Sequence, residues 1–89
     1  MEHIEVEVLT EQHNFAVIKL PSRRYPGVVL QGDSLAILVH DLLGVREALE
    51  RSDIDVAVDG LADVVERLQE VKSSYERALS AHEIKKPYS

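Results

Sequence analysis

Apolar and polar residues alternate along residues 3–9, a pattern typical of a β-strand that presents two different faces. His3–Leu9 is predicted to form a strand with one face on a core and its glutamates in water. The core-facing side chains of this strand would be Ile4, Val6 and Val8. Phe15–Leu20 is predicted to form a second strand. Because only the polar residues 10–14 separate the two, we expect them to pair as an antiparallel hairpin.

A Pro-Gly pair precedes the third predicted strand, Val28–Gln31. Pro26 and Gly27 suit the two central positions of a type II turn, in which the glycine takes a positive φ angle. After the strand the pattern breaks at a glycine, and Asp33 or Ser34 is expected to cap the helix that follows. This stretch therefore marks the change from sheet to helix.

From Leu35 to about Arg51 the apolar residues recur at three- and four-residue spacing, which predicts a helix. A broad apolar stripe on this helix is expected to cover the sheet. The stripe consists of Leu35, Leu38, Val39, Leu42, Leu43, Val45 and Leu49.

The opposite side of the first helix carries Ile37, Gly44 and Ala48. Small residues four positions apart permit the close approach of another helix, so we expect a second packing face here. A glycine inside a helix is less favourable than alanine by about 1 kcal/mol, which makes a packing reason for Gly44 plausible. The partner on this face is either the second helix of the same chain or a second copy in a dimer.

A second, amphipathic helix is predicted from about Val56 to His82, after a connector with capping residues at 52–55. Gly60 marks either a later start or a local bend, and residues 83–89 are expected to lie outside the helix. The helix is expected to pack on the sheet and first helix or on a symmetry mate. The prediction is thus a single α+β domain over residues 1–89, with a three-stranded antiparallel sheet followed by two helices.

Composition narrows the class of protein. With 45% apolar and 29% charged residues in 89 positions, the chain is expected to fold as an ordinary globular domain. It has no cysteine for disulfides or cysteine-based zinc sites, and its longest apolar run, Leu35–Val39, is far too short for a membrane helix. The first residues do not have the pattern of a secretory signal. We therefore expect a cytoplasmic protein with no membrane partner.

The net charge of the chain indicates which class of partner it is expected to bind. The formal net charge is −6, whereas nucleic-acid binding draws most of its affinity from cations on phosphates. This balance disfavours a nucleic-acid surface and favours a basic protein as partner.

The residue types that carry catalysis or bind metals are present but not grouped. The histidines, His3, His13, His40 and His82, are not spaced as ligand pairs, and a metal site needs three or four convergent ligands. Ser34, His40 and Asp41 resemble a hydrolytic triad only in composition, since no nucleophile elbow surrounds the serine. We expect no catalytic residues, no metal and no cofactor.

The strongest candidate for partner binding is the loop that carries Arg23, Arg24 and Tyr25. It places two guanidinium groups beside an aromatic ring in an otherwise acidic protein, and arginine and tyrosine are enriched at interface hot spots. The alternative is that the arginines are only solvated or pair with local acids such as Glu5 or Glu7, while Tyr25 covers the edge of the core.

Residues 14–49 resemble the core of the HicB-type antitoxins. The resemblance is carried by Phe15–Leu20 and by the run Tyr-Pro-Gly-Val-Val-Leu-Gln-Gly-Asp-Ser-Leu at 25–35. It implies a three-stranded sheet with a helix packed on it, and a toxin-neutralising role. The chain departs from that family where Ala36 and Ile37 replace capping-box glutamates, and where a long second helix replaces a further strand. The whole chain is also similar to a group of short uncharacterised bacterial proteins that share this run and a Pro-Tyr ending.

The leading hypothesis is a non-catalytic protein-binding module of bacterial type, with an antitoxin- or immunity-like role. Its partner would be another protein, with a basic toxin as the specific case, and a homodimer would add stability to so short a chain. Two alternatives remain open: a nucleic-acid-associated regulator that uses Arg23 and Arg24, and a small-ligand-binding protein or enzyme.

Overall fold

A computed structural model describes residues 1–10 and 15–89. Its elements in chain order are β1 (Glu7–Val8), β2 (Phe15–Lys19), β3 (Gly27–Leu30), α1 (Gly32–Glu50) and α2 (Ile54–Ala81). The strands form one antiparallel sheet in the order β1-β2-β3. The predicted α+β fold, with a three-stranded antiparallel sheet followed by two helices, is confirmed. The predicted connection through residues 11–14, which includes His13, lies outside the described residues.

The chain divides into two compact units. The first, called here the sheet unit, consists of residues 1–30 and 72–89, so it contains the three strands, the last turns of α2 and the C-terminal tail. The second, called the helical hairpin, consists of residues 31–71 and contains α1 and the longer part of α2. Among the described residues, no helix has both the length and the apolar character needed to cross a membrane.

The sheet register assigns β1 a different core residue from the predicted one. Val8 pairs with Ile18, so both side chains lie on the face opposite Val17, and Val8 is 44% exposed. Leu9 donates its backbone N–H to the Val17 carbonyl oxygen at 2.8 Å and packs against the core instead. The prediction that Ile4, Val6 and Val8 face the core is therefore wrong. The strand is also much shorter than predicted.

The core of the sheet unit is formed by β2 together with the last turns of α2. Val17 clusters with Tyr75, Ala78 and Leu79, and Val17 and Leu79 are completely buried. Leu35 of the predicted apolar stripe is 52% exposed, whereas Leu38 and Val45 of the same stripe are half-buried. The expected cover of the sheet by the first helix stays a prediction. Spacing along the sequence identifies an apolar face but does not assign it to a neighbour.

The turn before β3 lies earlier than predicted. Arg23 donates its backbone N–H to the carbonyl oxygen of Leu20 at 3.2 Å, which places Pro21 and Ser22 at the centre of a β-turn. Gly27 does not take a positive φ angle and begins β3. The predicted type II turn at the Pro-Gly pair is therefore wrong, since an equally suitable proline five residues upstream makes the reversal.

The start of α1 also differs from the prediction. The helix begins at Gly32, and Gln31 is its N-cap without a side-chain hydrogen bond. Asp33 lies within the first turn, where its carboxylate accepts a hydrogen bond from the Ser34 N–H at 2.8 Å. An acidic group there is favourable because the helix dipole is positive at this end. Asp33 therefore stabilises the first turn, but neither it nor Ser34 is the N-cap.

The connection between the helices is a compact C-terminal capping motif. Ser52 has a φ angle of 60° and donates its N–H to Leu49, while Asp53 donates to Ala48 at 2.8 Å. These two bonds define a Schellman motif. Asp53 then accepts a bond from the Val56 N–H at 3.4 Å at the start of α2. Asp53 is a capping residue of the predicted connector, but α2 begins at Ile54, so the connector is two residues shorter than predicted.

The end of α2 repeats the same motif. Glu83 has a φ angle of 58°, and Ile84 donates its N–H to the Leu79 carbonyl oxygen at 2.8 Å. Ile84 also packs against the core that contains Leu79, which is the apolar contact that accompanies such a motif. The tail lies outside the helix, as predicted, and is held against α2.

The helical hairpin buries small side chains. Ala48, Ala57 and Val64 are its buried residues. A Cβ atom added to Gly60 would lie 3.0 Å from Cγ2 of Val45, so this glycine permits the close approach of α1 and α2. The glycine that matters for packing is thus the one for which the sequence indicated a bend.

Candidate partner-binding site

The loop between β2 and β3 is anchored to the end of α2. The hydroxyl of Tyr75 donates a buried hydrogen bond of 2.7 Å to the carbonyl oxygen of Pro26, and Pro26 itself is buried. Burial raises the pKa of Tyr75. Because the donor and the acceptor are 49 positions apart, this single bond ties the loop to a distant part of the chain. It gives the residues just before Pro26 a defined position.

The predicted partner-binding residues are exposed on this anchored loop. The guanidinium carbon of Arg24 lies 5.2 Å from the centre of the Tyr25 ring, a cation–π contact that holds the ring and the charge together. Arg23 and Arg24 are both exposed. Among the described residues, neither arginine forms an ion pair with Glu5 or Glu7. The choice between a partner-binding loop and one that is only solvated or locally paired stays a prediction.

A cleft of about 320 Å³ lies beside the loop, on the sheet face opposite Val17. Arg23 and Tyr25 form its charged and aromatic wall, while Ile18, Leu20 and Val29 contribute apolar surface. A cleft of this composition suits an apolar side chain next to an acidic or carbonyl group.

β3 is an edge strand of the sheet. Val17 uses its backbone N–H and carbonyl oxygen on the β1 side, with Thr10 and Leu9 as partners. Its pairing with Val28 is therefore of the non-hydrogen-bonded type, and the backbone polar groups of Val28 point away from β2. Leu30 is two residues further along β3, so its backbone polar groups also point away from β2. The sheet thus presents a short edge that can hydrogen-bond an added strand.

A sequence profile of a family of unknown function (DUF6959) matches residues 1–88. The chain belongs to the DUF6959 family. The predicted membership in an uncharacterised family is thereby confirmed. Neither a curated protein nor a solved structure matches the chain.

The residues predicted to form a second packing face of this DUF6959 chain, Ile37, Gly44 and Ala48, have different surroundings in the structure. Ala48 is fully buried within the hairpin, whereas Ile37 is 54% exposed. A Cβ atom added to Gly44 would meet nothing within 4 Å, so Gly44 makes no close helix contact. The three residues therefore do not form one buried packing face. The structure describes no second copy, and a dimer contact stays a prediction.

The polar side of the hairpin is organised by Arg67. Its guanidinium group donates to the carboxylates of Asp41 on α1 and Asp63 on α2, and the hydrogen bond to Asp41 is the main reason that the pKa of Arg67 is raised. A cavity of about 400 Å³ adjoins this cluster, with His40 and Asp41 in its lining. Asp41 is thus paired with an arginine, which accounts for it without a triad. The described residues contain no group of three potential metal ligands.

Two contacts that shape this part of the DUF6959 chain were not predicted from the sequence. One is the bond from Tyr75 to Pro26, since Tyr75 reads as one more apolar position of an amphipathic helix. The other is the docking of Tyr88, whose ring stacks on Tyr75 with 6.5 Å between centres and whose hydroxyl donates to Glu76. Lys86 pairs with Glu76 at 3.6 Å and strengthens the docking. The Pro-Tyr ending was the available signal for the second contact.

Proposed function

We propose that this protein is a non-catalytic protein-binding module that takes an extended segment of its partner along the edge of β3. The observation that carries the proposal is the unpaired edge of β3 next to the anchored loop and its cleft. Strand addition of this kind obtains affinity from backbone hydrogen bonds and specificity from side-chain pockets. Here the cleft would take an apolar side chain, and Arg23 and Arg24 would select a nearby carboxylate.

An antitoxin- or immunity-like role of bacterial type is the specific form of this proposal. It draws on the resemblance of residues 14–49 to HicB-type antitoxins and on the net charge of −6, which would attract a basic toxin over distance. The local selection of a carboxylate by Arg23 and Arg24 is compatible with a partner that is basic overall. A cytoplasmic location is part of the proposal.

The two alternatives have less support. A nucleic-acid-binding regulator would need more than the two arginines of the loop, because each phosphate contact requires its own cation. An enzyme or small-ligand-binding protein usually has a titratable group removed from solvent and free to act. Among the described residues no Asp, Glu, His, Lys or Arg side chain is buried, and the buried hydroxyl of Tyr75 is bonded to the Pro26 carbonyl oxygen.

The experiment uses the outward direction of the Val28 backbone. Val28→Pro removes the N–H that would bond an added strand but leaves the ladder between β2 and β3 intact, since edge strands tolerate proline at such positions. Val28→Ala shortens the same side chain and keeps the N–H, so it is the matched control. We expect a specific protein to co-purify from the native host with the wild type and with Val28→Ala, and to be lost with Val28→Pro.

Replacement of both loop arginines tests the selection of the partner. Arg23→Gln together with Arg24→Gln should weaken the same complex about tenfold or more, as expected for charged groups in an interface core. The proposal is contradicted if all variants retain the same proteins, or if the wild type retains no specific protein. Binding of an oligonucleotide that depends on both arginines would favour the nucleic-acid alternative.

A further inference from the structure

The helical hairpin leaves most of its large apolar side chains exposed. The positions at which α1 and α2 face each other combine small, polar and a few larger apolar side chains, and Ala48, Ala57 and Val64 are the most buried. These inner positions are Ser34, Leu38, Asp41, Val45 and Ala48 on α1, and Ala57, Gly60, Val64, Arg67 and Val71 on α2. Both sets follow the three- and four-residue spacing of a helix interface.

A second apolar surface runs beside the inner positions. It is formed by eight aliphatic residues with exposed fractions between 42% and 58%, and we call it the outer apolar face. Its members are Leu35, Leu42, Leu49, Ile54, Val58, Leu61, Val65 and Leu68. All eight are apolar, and Arg46, which follows the inner position Val45, adds one exposed guanidinium group between Leu42 and Leu49.

The outer apolar face is continuous across the two helices. Leu35, Leu42 and Leu49 each follow an inner position of α1 by one residue, and the α2 members from Val58 onward each follow an inner position of α2 by one residue. One residue is a rotation of about 100° in the same sense about each helix axis. Because the helices are antiparallel, these equal rotations bring both rows to the same side of the hairpin. Asp63, which precedes the inner position Val64 by one residue, lies on the other side and pairs there with Arg67.

The extent of the outer apolar face matches that of a specific protein interface. At roughly 80 Å² for each half-exposed aliphatic side chain, the eight residues present about 600 Å² per copy. The smallest specific complexes bury about 600 Å² of surface from each partner. A single contiguous apolar patch of this area is at the upper end of what monomeric proteins expose. Val39 and Leu43, both exposed, extend the patch along α1.

The chemistry of the face favours a second copy over other occupants. An amphipathic helix that binds lipid usually has a basic border, whereas residues 32–71 hold ten acidic and three basic side chains. A basic partner protein would find no carboxylate within the face to pair with. Both rows of the face have the heptad spacing of helices in a four-helix bundle. The α1 row is made of leucines, and the α2 row mixes valine, isoleucine and leucine. Two copies of the hairpin can therefore pack these rows against each other.

We propose that the outer apolar face packs against the same face of a second copy, so that two hairpins form an antiparallel four-helix bundle. This interface differs from the Ile37, Gly44 and Ala48 face indicated by the sequence and involves none of those residues. It is also independent of the β3 edge, so either proposal can fail without the other. Burial of this apolar surface compensates for the small buried core of an 89-residue chain.

The first test is the mass in solution. We expect the wild type to have twice the 10.0 kDa of one chain in sedimentation equilibrium. Leu42→Glu places a charge in the outer apolar face and should yield monomers. Ile37→Glu makes the same change at an exposed position of α1 outside the face and should leave the dimer intact. The circular dichroism spectrum of each variant shows whether its helices are retained.

A milder pair of variants keeps the test decisive if Leu42→Glu unfolds. The chain has no cysteine, so Leu42→Cys and Ile37→Cys each introduce a single thiol. Maleimide labelling of the Leu42→Cys thiol should become slower as the protein concentration rises above the dimer dissociation constant. Labelling of the Ile37→Cys thiol should not change with concentration.

Three results would overturn the proposal. The first is a monomeric wild type at every concentration, and the second is equal protection of the two thiols. The third is a monomer whose Leu42→Cys thiol is protected only by phosphatidylcholine–phosphatidylglycerol vesicles, which would assign the face to lipid. Val28→Pro serves as a reference and should remain dimeric, since it alters only the β3 edge.

Discussion

The sheet unit and the helical hairpin bury different kinds of side chain. The sheet unit encloses Val17, Tyr75 and Leu79, and it closes this core with an internal hydrogen bond and a docked tail. The hairpin encloses two alanines and one valine, while six of its seven leucines are exposed. Since the transfer of large apolar side chains from water dominates stability, the sheet unit draws on its own core. The hairpin instead depends on what covers its outer apolar face.

The largest effect is expected from the core of the sheet unit. Leu79→Ala removes a fully buried side chain and should lower the free energy of unfolding by about 2–5 kcal/mol. Urea denaturation followed by circular dichroism measures it. The loss should be the same at two protein concentrations about a hundredfold apart, because no partner contributes to this core.

Leu61→Ala is the matched change in the hairpin, since it shortens a leucine of the outer apolar face. At low protein concentration its effect should be within about 0.5 kcal/mol, as for ordinary surface substitutions. At high concentration the loss should grow, because the dimer is weakened. A large, concentration-independent loss for Leu61→Ala would contradict the contrast between the two units.

The elements of the fold follow from local patterns, but their neighbours do not. The change from a period of two to a period of three and four separates sheet from helices, and the order β-β-β-α-α follows. The sequence of α1 has apolar residues on several sides, so spacing alone does not identify the side that faces α2. That side is determined by packing between the helices, such as the close contact of Val45 with Gly60. The cover of Val17 by Leu79 likewise depends on tertiary packing.

The candidate site was partly visible in the sequence for a similar reason. Arg23, Arg24 and Tyr25 lie between two strands, so their place in a loop follows from local signals. The bond from Tyr75 to Pro26 joins positions 49 residues apart, and no local pattern records it. The direction of the Val28 backbone depends on the pairing register, which in turn depends on that long-range packing.

The second largest effect is expected from the hydrogen bond that anchors the loop. Tyr75→Phe leaves the buried Pro26 carbonyl oxygen without its donor and should lower the free energy of unfolding by about 1–3 kcal/mol. Tyr25→Phe removes the hydroxyl of a more exposed ring and serves as the control. Equal losses in the two variants would show that the buried bond has no special weight.

The same tyrosine predicts a loss of stability at alkaline pH. Burial raises the pKa of Tyr75 in the folded protein above the unfolded value near 10. The folded state therefore keeps this proton when the unfolded state loses it. This contribution is complete below about pH 10 and is lost as the pH rises towards the folded pKa. Urea midpoints at about pH 8 and about pH 10.5 should differ less in Tyr75→Phe than in the wild type.

Alanine substitutions at two glycines of the hairpin distinguish the effect of helix propensity on stability from the effect of packing. Gly44→Ala adds a methyl group that meets nothing, so it should stabilise the protein by about 1 kcal/mol and raise the melting temperature by about 4–8 °C. Gly60→Ala has the same propensity gain, but its methyl group would lie 3.0 Å from Val45, so the gain should be offset. Calorimetry compares the two variants. A larger gain from Gly60→Ala would contradict the close approach of α1 and α2.

The smallest expected effect on stability comes from substitutions at equivalent helix-end positions in the two units. Ser52 ends α1 in the hairpin and Glu83 ends α2 in the sheet unit, both with left-handed backbone angles near 60°. Glycine adopts this conformation without the steric penalty of a Cβ atom, so Ser52→Gly and Glu83→Gly should each stabilise the protein by about 0.5 kcal/mol. Ser52→Ala and Glu83→Ala keep the Cβ atom and should give no gain. Because the motif is local, the two glycine gains should be equal although the units bury such different cores. A gain confined to Glu83→Gly would mean that the end of α1 rearranges when the hairpins associate.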